Sequence, residues 1–310
     1  MTGIAAEPAS VALVEGAGRP TVARGRSALA RAGWLVASLV VVCALWEAYK
    51  AVGSPDGGSV LGARVLPRAD DASMPHVWTV LERFGRPESS APGSAPVAVA
   101  VLAAVWFTFR VAMAGLVLGV VVGIGLGMLM ERSRVAERGL LPYVVLSQTV
   151  PLVALAPLIA GWGGTIWPEW MTVAVIAAYL AFFPVAVGML RGLQSPAAAG
   201  VELMRSYAAG WWRTLVKLRL PASLPYLFPA LRLAGAAAVV GAVVGEISTG
   251  IRGGIGRLII EYSREATSDP AKVYTAMLGA AVLGLVVAGL VALLELPLMR
   301  HRRRVEVATL

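Results

Sequence analysis

Histidine, cysteine and lysine, the side chains that most often do covalent or metal chemistry, are scarce in this chain. It has two histidines, His76 and His301, one cysteine, Cys43, and three lysines, Lys50, Lys217 and Lys272. None of the lysines follows a glycine. No phosphate-cradling loop of the form G-x-x-x-x-G-K-[ST] can therefore be written, and the chain does not bind ATP by that device. Both histidines fall outside the long apolar runs, which leaves metal ligation and His-based catalysis without residues inside a membrane. No Ser/His/Asp or Cys/His set can be assembled there either. Cys43 can form no intrachain disulfide. It follows Val40, Val41 and Val42 rather than the small residues that lipoprotein cleavage wants, and it reads as a core residue.

A few polar residues lie in or near apolar runs. Glu246 stands near the end of one, followed by Ser248 and Thr249. It suits an outer gate or an interfacial ion pair with Arg252. Gln148 and Thr149 precede Pro151 in another run. They suit a cavity lining or a hydrogen bond to a neighbouring helix. Pro151 and Pro157 free backbone carbonyls and permit bending.

Composition names the elements that must position these groups. Of 310 residues, 58% are hydrophobic and only 15% charged, against roughly a quarter charged in soluble domains. The mean hydropathy is +0.75. An ordinary soluble enzyme and a disordered chain are both excluded, and a polytopic helical membrane protein remains. Six runs reach the ~20 apolar residues that a crossing needs: about 34–52, 97–130, 139–160, 170–190, 225–249 and 273–297. A secretory signal is the rival for the first. That run begins late, and Trp46-Glu47-Ala48-Tyr49 is a poor cleavage site. The second is too long for one simple crossing. Arg110 lies about 30 Å from Met130 at the helical rise, so 111–130 crosses and 97–110 is expected along or above the outer surface.

The net charge of +9 would suggest nucleic acid in a soluble protein. Here it marks cytoplasmic loops. Arg24, Arg26 and Arg31, then Arg132, Arg134 and Arg138, then the 191–219 segment, then Arg300 and Arg302–Arg304 all fall on one side if six helices cross. Both termini are then inside. The organisation expected is a flexible cytoplasmic tail over 1–30, a first transmembrane helix and outer loop over 31–96, a five-helix core over 97–299, and a basic cytoplasmic tail over 300–310. Pro75–Phe84 reads as a short amphipathic helix in the outer loop. Gly115, Gly119, Gly123 and Gly127 recur every fourth residue and read as a helix-packing face.

The cytoplasmic loop 195–221 carries the sharpest signal. Gln194-Ser195-Pro196 ends the preceding helix. Residues 197–207 and 211–218 read as short helices, and Leu220-Pro221 as a stop before the next span. Trp211, Trp212 and Arg213 fit either a knob that enters a soluble partner or an interfacial anchor. The segment resembles the loop of ABC-importer permeases that runs Glu-Ala-Ala, three residues, Gly, nine residues, Ile, one residue, Leu-Pro. Glu202 matches the glutamate, Leu218 stands for the isoleucine, and Leu220 and Pro221 match. Leu203 and Met204 replace the alanines. Ala208 replaces the glycine, and Gly210 is the candidate for supplying the turn instead. Pro142…Gln148-Thr149-Val150-Pro151…Ala156-Pro157, Ser206-Tyr207, and Leu224-Pro225-Tyr226…Leu231-Arg232-Leu233-Ala234…Gly245-Glu246-Ile247 extend the likeness over about 75–299. They place it near the sulfonate/taurine/nitrate and thiamine-precursor/riboflavin-like importers.

That resemblance implies an all-α permease of the type I ABC-importer kind, with six transmembrane helices and both termini inside the plasma membrane of a bacterium. It implies a homodimer that faces two ATP-binding cassette ATPase subunits, with an extracytoplasmic solute-binding protein at the outer mouth. The chain itself would hold no cofactor and do no covalent chemistry, ATP being bound by the partner. Glu202, Tyr207, Ala208, Ala209, Gly210, Trp211, Trp212, Arg213, Leu220 and Pro221 would form the ATPase contact. Gln148, Thr149, Pro151 and Glu246 are the pathway candidates. An ion-coupled secondary transporter is the alternative. It wants a midplane ionisable residue, which the second, third and fourth runs lack.

Overall fold

The computed structural model describes residues 26–60, 63–64, 66–164 and 166–308. Most of the expected N-terminal tail and the last two residues lie outside the described residues. In chain order the elements are α1 (Arg26–Val52), β1 (Ser59–Val60), β2 (Ala63–Arg64), α2 (Val77–Arg83), α3 (Val97–Arg132), α4 (Arg134–Leu146) and α5 (Leu152–Gly163). They continue with α6 (Glu169–Leu193), α7 (Ala198–Ser206), α8 (Trp211–Thr214), α9 (Leu220–Thr249), α10 (Ile255–Arg264) and α11 (Pro270–Ala308). The two short strands pair antiparallel, Ser59 opposite Arg64.

The protein is an all-α polytopic membrane protein. Among the described residues, α3, α6, the run Trp211–Thr249 and the Pro270–Glu295 part of α11 are long and apolar enough to cross a membrane. The bent pair Arg134–Thr149 and Leu152–Gly163 makes a fifth if counted as one span.

Helix α6 lies at the centre of the bundle, packed between α3 and α9. The glycine stripe of α3 makes this possible. A Cβ on Gly115 would stand 2.5 Å from the Ala177 Cβ, and one on Gly119 2.8 Å from the Ala181 Cβ. Gly123 meets Val185 and Gly127 meets Met189 in the same way. On the other side, a Cβ on Gly241 of α9 would stand 2.8 Å from the Ala177 Cα. Small residues on both flanks let three backbones approach closely, which is how apolar helices gain dispersion contact when lipid offers no hydrophobic drive. Val173, Ala177, Ala181 and Val185 of α6 meet Ala112 and Leu116 of α3 and Ala234 and Ala238 of α9 in this core.

The structure bears on three sequence expectations about these helices. First, 97–110 does not lie along the outer surface, because α3 runs on unbroken through Arg110; the alternative, that it extends above the surface, fits its length. Val97, Val101, Ala104, Thr108, Val111, Ala112 and Gly115 form one continuous buried face. Arg110 is exposed, its guanidinium 5.9 Å from the centre of the Phe107 ring, so its charge needs no break in the helix. At the helical rise, 36 residues extend about 54 Å, well beyond the hydrocarbon thickness. Second, the 139–160 run is bent, as Pro151 leads one to expect. Its two helices meet at 102° across a 3-10 turn, Ser147–Thr149. Pro151 holds Val150 extended (φ −76°, ψ 124°), since a residue before proline is kept out of the helical region. Pro157 is contained within α5 and does not end it. Third, Cys43 is exposed on α1, not buried in a core.

Helix α1 is fastened to the rest at its C-terminal end. Glu47 accepts from the Val77 N–H at 2.8 Å and lies 2.7 Å from His76 Nδ1, and the Trp46 indole donates to the Pro75 carbonyl at 3.1 Å. Lys50 pairs with Asp71 at 2.5 Å. That hydrogen bond holds the Asp71 carboxyl below the usual carboxylate range. Leu39, Val40, Val41, Val42 and Leu45 are exposed.

The expected short helix in the outer loop is present as α2. It joins α10 and the start of α11 in a cap over one end of the bundle. Arg83 pairs with Asp269 at 2.6 Å, and the Tyr262 hydroxyl donates to Glu88 at 2.9 Å. Burial, and then the Glu88 carboxylate, push the Tyr262 phenol above its ordinary range. Lys272 is buried between the Tyr262 ring (4.5 Å) and Glu265 (2.5 Å).

Candidate functional site

The elbow between α6 and α9 is built by a helix stop, a left-handed residue and a restart. Helix α7 ends at Ser206, and Tyr207 is its C-cap. Ala208 then takes φ +47°, the one non-glycine residue with positive φ among the described residues. The Ala208 N–H bonds the Arg205 carbonyl at 2.8 Å, and the Ala209 N–H bonds the Met204 carbonyl at 2.9 Å. These two bonds form a Schellman motif, in which the left-handed position is usually glycine. The expectation that Gly210 supplies the turn is therefore corrected. Gly210 sits at φ −64°, ψ 168°, as the N-cap of α8. Ala208 carries the turn with a Cβ, at a cost of about 1 kcal/mol.

The restart does not stop at Leu220-Pro221, as the sequence reading expected. From α8 the chain passes through a π-helical turn, Leu215–Arg219, directly into α9. The Leu220 N–H reaches back to the Leu215 carbonyl. Pro221 has no N–H to give, and the widened turn accommodates the missing bond without ending the helix.

Neighbouring side chains of the elbow have separate tasks. Trp211 is half-buried: its ring lies 4.8 Å from the Arg132 guanidinium, and its Nε1 donates to Glu131 at 3.3 Å. Arg219 pairs with the other oxygen of Glu131. Glu131 thus ties the end of α3 to both halves of the restart. The sequence reading passed over it because a lone charge at a helix end carries no motif. Trp212 faces outward, 69% exposed, as do Tyr207 (74%) and Leu203 (56%). Glu202 and Arg213 are exposed, Ala209 half-buried, and Leu220 and Pro221 half-buried at the start of α9.

The pathway candidates do not gather into one site. Thr149 donates to the Leu146 carbonyl at 2.8 Å, and Gln148 reaches only Ser147, at 3.3 Å. Among the described residues neither bonds another helix. The link from α6 to this break is the Tyr179 hydroxyl, which donates to the Ser147 carbonyl. Thr149, Val150 and Pro151 are exposed.

Glu246 is elsewhere, fully buried among α3, α9 and α10. Thr108 Oγ1 donates to its Oε1 at 2.8 Å and accepts from the Ile255 N–H at 2.9 Å. The Gly256 N–H donates to its Oε2 at 2.9 Å. The carboxylate therefore closes the N-terminus of α10, where backbone N–H groups lack helical partners. Gly254 and Gly256 leave the room: a Cβ on Gly254 would run into the Glu246 carboxyl carbon, and one on Gly256 into the Val243 carbonyl oxygen. The alternative ion pair with Arg252 is absent. Arg252 is exposed, and the acceptors of Glu246 are filled by neutral donors.

Residues 115–298 match the sequence profile of the binding-protein-dependent transport system inner membrane components. The match covers more than half of the chain and includes the central helices, the elbow and Glu246. The chain belongs to that family.

Among relatives of this inner membrane component, the formylaminopyrimidine transport permease protein of Halalkalibacterium halodurans is 38% identical over 139 residues, 45% of this chain and 54% of that one. The riboflavin transport system permease protein of Chloroflexus aurantiacus is 33% identical over 164 residues, 53% of this chain and 59% of that one. The match thus spans between half and two thirds of these relatives' own length. The crystal structure of an amino acid ABC transporter superposes with a TM-score of 0.52 over 64% of this chain and 94% of that one, at 17% identity. It shares the fold. The likeness to ABC-importer permeases first read from Glu202, Leu220 and Pro221 stands.

Proposed function

We propose that this inner membrane component is the permease subunit of an ATP-driven importer, coupled to separate ATPase subunits through its elbow. The observation that carries this reading is the outward face of α7 and α8. Leu203, Tyr207 and Trp212 are each exposed, Leu203 next to Glu202 in the chain, and among the described residues nothing covers them. Large apolar side chains grouped on a water-facing loop mark a protein interaction site. Trp211, held by Glu131 and Arg132, anchors the elbow to the membrane helices, so a push on Trp212 is transmitted to α3 and α9.

In this reading six helices cross, α1 among them, and both termini lie inside. The exposed Leu39–Leu45 face of α1 suits lipid or a second copy. Residues 97–299 form the core, and two copies assemble around a path. The broken α4–α5 helix supports that role for Gln148, Thr149 and Pro151. Non-helical backbone at membrane depth is tolerated only where protein buries it or water lines it. Glu246 belongs to the outer gate as the residue that seats α10. An extracytoplasmic binding protein delivers the solute. The solute is a small organic or anionic compound, of the riboflavin, pyrimidine-precursor or sulfonate, taurine and nitrate kinds. The permease does no covalent chemistry. ATP biases its two states because the ATPase binds it more tightly in one of them.

The test is reconstitution with the ATPase and binding protein, with single cysteines at Leu203 or Trp212. Cross-linking to the ATPase and uptake that stops when ATP is withdrawn are expected. Uptake by the purified chain alone, driven by an ion gradient, would overturn the reading.

A further inference from the structure

At the end of the bundle that carries the elbow, the end of α3, α4, the end of α6, α7 and the π-helical turn before α9 line a cavity of about 1040 Å³. One wall is apolar, made by Leu141, Pro142, Val145 and Leu146 of α4. The rest of the lining carries Arg134, Arg138 and Arg219 with Glu131 and Glu137. Both carboxylates are occupied. Glu131 is held by Arg219 and the Trp211 indole, and Glu137 accepts from the Gln194 amide at 3.0 Å. Arg134 and Arg138 stand one turn apart on α4, exposed, and neither guanidinium is paired among the described residues. Arg219 adds a further donor: its Nε is the one buried side-chain polar atom without a hydrogen-bond partner among the described residues. A buried donor without an acceptor points to a missing group that brings one.

The missing group must offer several acceptor oxygens and a negative charge. Guanidinium forks match phosphate in this way. It must also tolerate an apolar wall that continues along α4. We propose that this cavity binds the phosphate of an anionic phospholipid, with an acyl chain along Leu141, Val145 and Leu146. The leaflet rests on the reading above, in which the arginine-rich end faces the cytoplasm, where anionic headgroups attract basic segments. A bound lipid touches both Val201 of α7 and Arg219, and so sits beside the elbow.

Native mass spectrometry of the purified full-length chain tests this, from micelles that contain phosphatidylglycerol and phosphatidylcholine in equal amounts. The wild type is expected to retain phosphatidylglycerol about tenfold over phosphatidylcholine, the effect of roughly one charge-assisted contact. Arg134→Gln with Arg138→Gln removes that preference. Leu141→Trp changes no charge but fills the apolar wall, and removes it too. Arg213→Gln with Lys217→Gln, whose cations lie outside the cavity, keeps it. Equal retention by wild type and the Arg134/Arg138 variant overturns the proposal. So does a rise in unfolding temperature with millimolar inorganic phosphate alone, lost in that variant, if no lipid preference accompanies it: the occupant is then a soluble anion. The readout needs no ATPase, so failure of elbow docking and failure of lipid binding are seen separately.

Discussion

Glu202 and Glu246 are both helical glutamates in the family-matched region, yet they meet opposite conditions. Glu202 lies open on α7, with no partner among the described residues, beside the exposed Leu203, Tyr207 and Trp212. Glu246 is fully buried, and Thr108 and Gly256 satisfy its carboxylate. A buried polar group must find its partners within the chain, because burial without hydrogen bonds is costly. An exposed one can wait for a partner that arrives later. The Glu246 site therefore holds the fold together, and the elbow, in the function proposed above, is left open for another protein. Changes at the first should be read in stability, and changes at the second in transport.

The largest effect should come from filling the space around Glu246. Gly254→Val forces a side chain into that carboxylate, whose carbon lies where the Cβ would sit, and overpacking of this kind costs about 3 kcal/mol. The variant should melt early in detergent or fail to accumulate in the membrane. Normal melting would mean that the α10 N-terminus is looser than drawn here. Next, Glu246→Ala leaves the Gly256 N–H without its acceptor, while the Thr108 hydroxyl keeps the Ala104 carbonyl at 3.1 Å, and should cost about 2 kcal/mol by thermal unfolding. Glu246→Gln keeps an acceptor for the Gly256 N–H, and its amide N–H can donate to the Thr108 oxygen once that hydroxyl donates to the Ala104 carbonyl instead, so it should cost less than about 1 kcal/mol. Equal losses for Ala and Gln would show that the charge, not the hydrogen bonding, is what matters.

At the elbow the same assays should read the other way. Trp212→Ala with Leu203→Ala removes exposed side chains, and should change stability by no more than about 0.5 kcal/mol while ATP-driven uptake is lost. A large drop in stability would place these residues in the fold-holding class and erase the contrast. The smallest effect is Ala208→Gly. Relief of the left-handed alanine, offset by a more flexible unfolded chain, should leave a gain of about 0.5 kcal/mol. A loss would mean that Ala208 is not strained in the folded protein.

The elbow was legible in the sequence because its parts are close along the chain. Glu202, Ala208, Leu220 and Pro221 lie within one short loop, and a fixed spacing can encode a local turn. What spacing left open was which residue goes left-handed. Hydrogen bonds to Arg205 and Met204 settle that on Ala208 rather than Gly210. The glycine stripe of α3 was equally readable, since a period of four marks one helix face. Its partner was not: nothing in α3 alone says that Ala177 and Ala181 of α6 fill the groove. Arg110 misled because a charge in an apolar run was taken as a boundary. A charge on an exposed face of a helix longer than the membrane is thick requires none.

Composition and apolar run length by themselves determined that this chain lives in a membrane as helices. The Glu202-to-Pro221 spacing carried the likeness to the family to which the chain belongs. Both follow from local physics: an apolar helix satisfies its own backbone in lipid, and a turn depends on neighbours in the chain. Only the tertiary structure decided that Glu246 closes the α10 N-terminus with Thr108, that Glu131 fastens Trp211 and Arg219, and that α4 and α5 meet at 102°. Those contacts join residues far apart in sequence, and which distant groups meet is fixed by how the whole bundle packs.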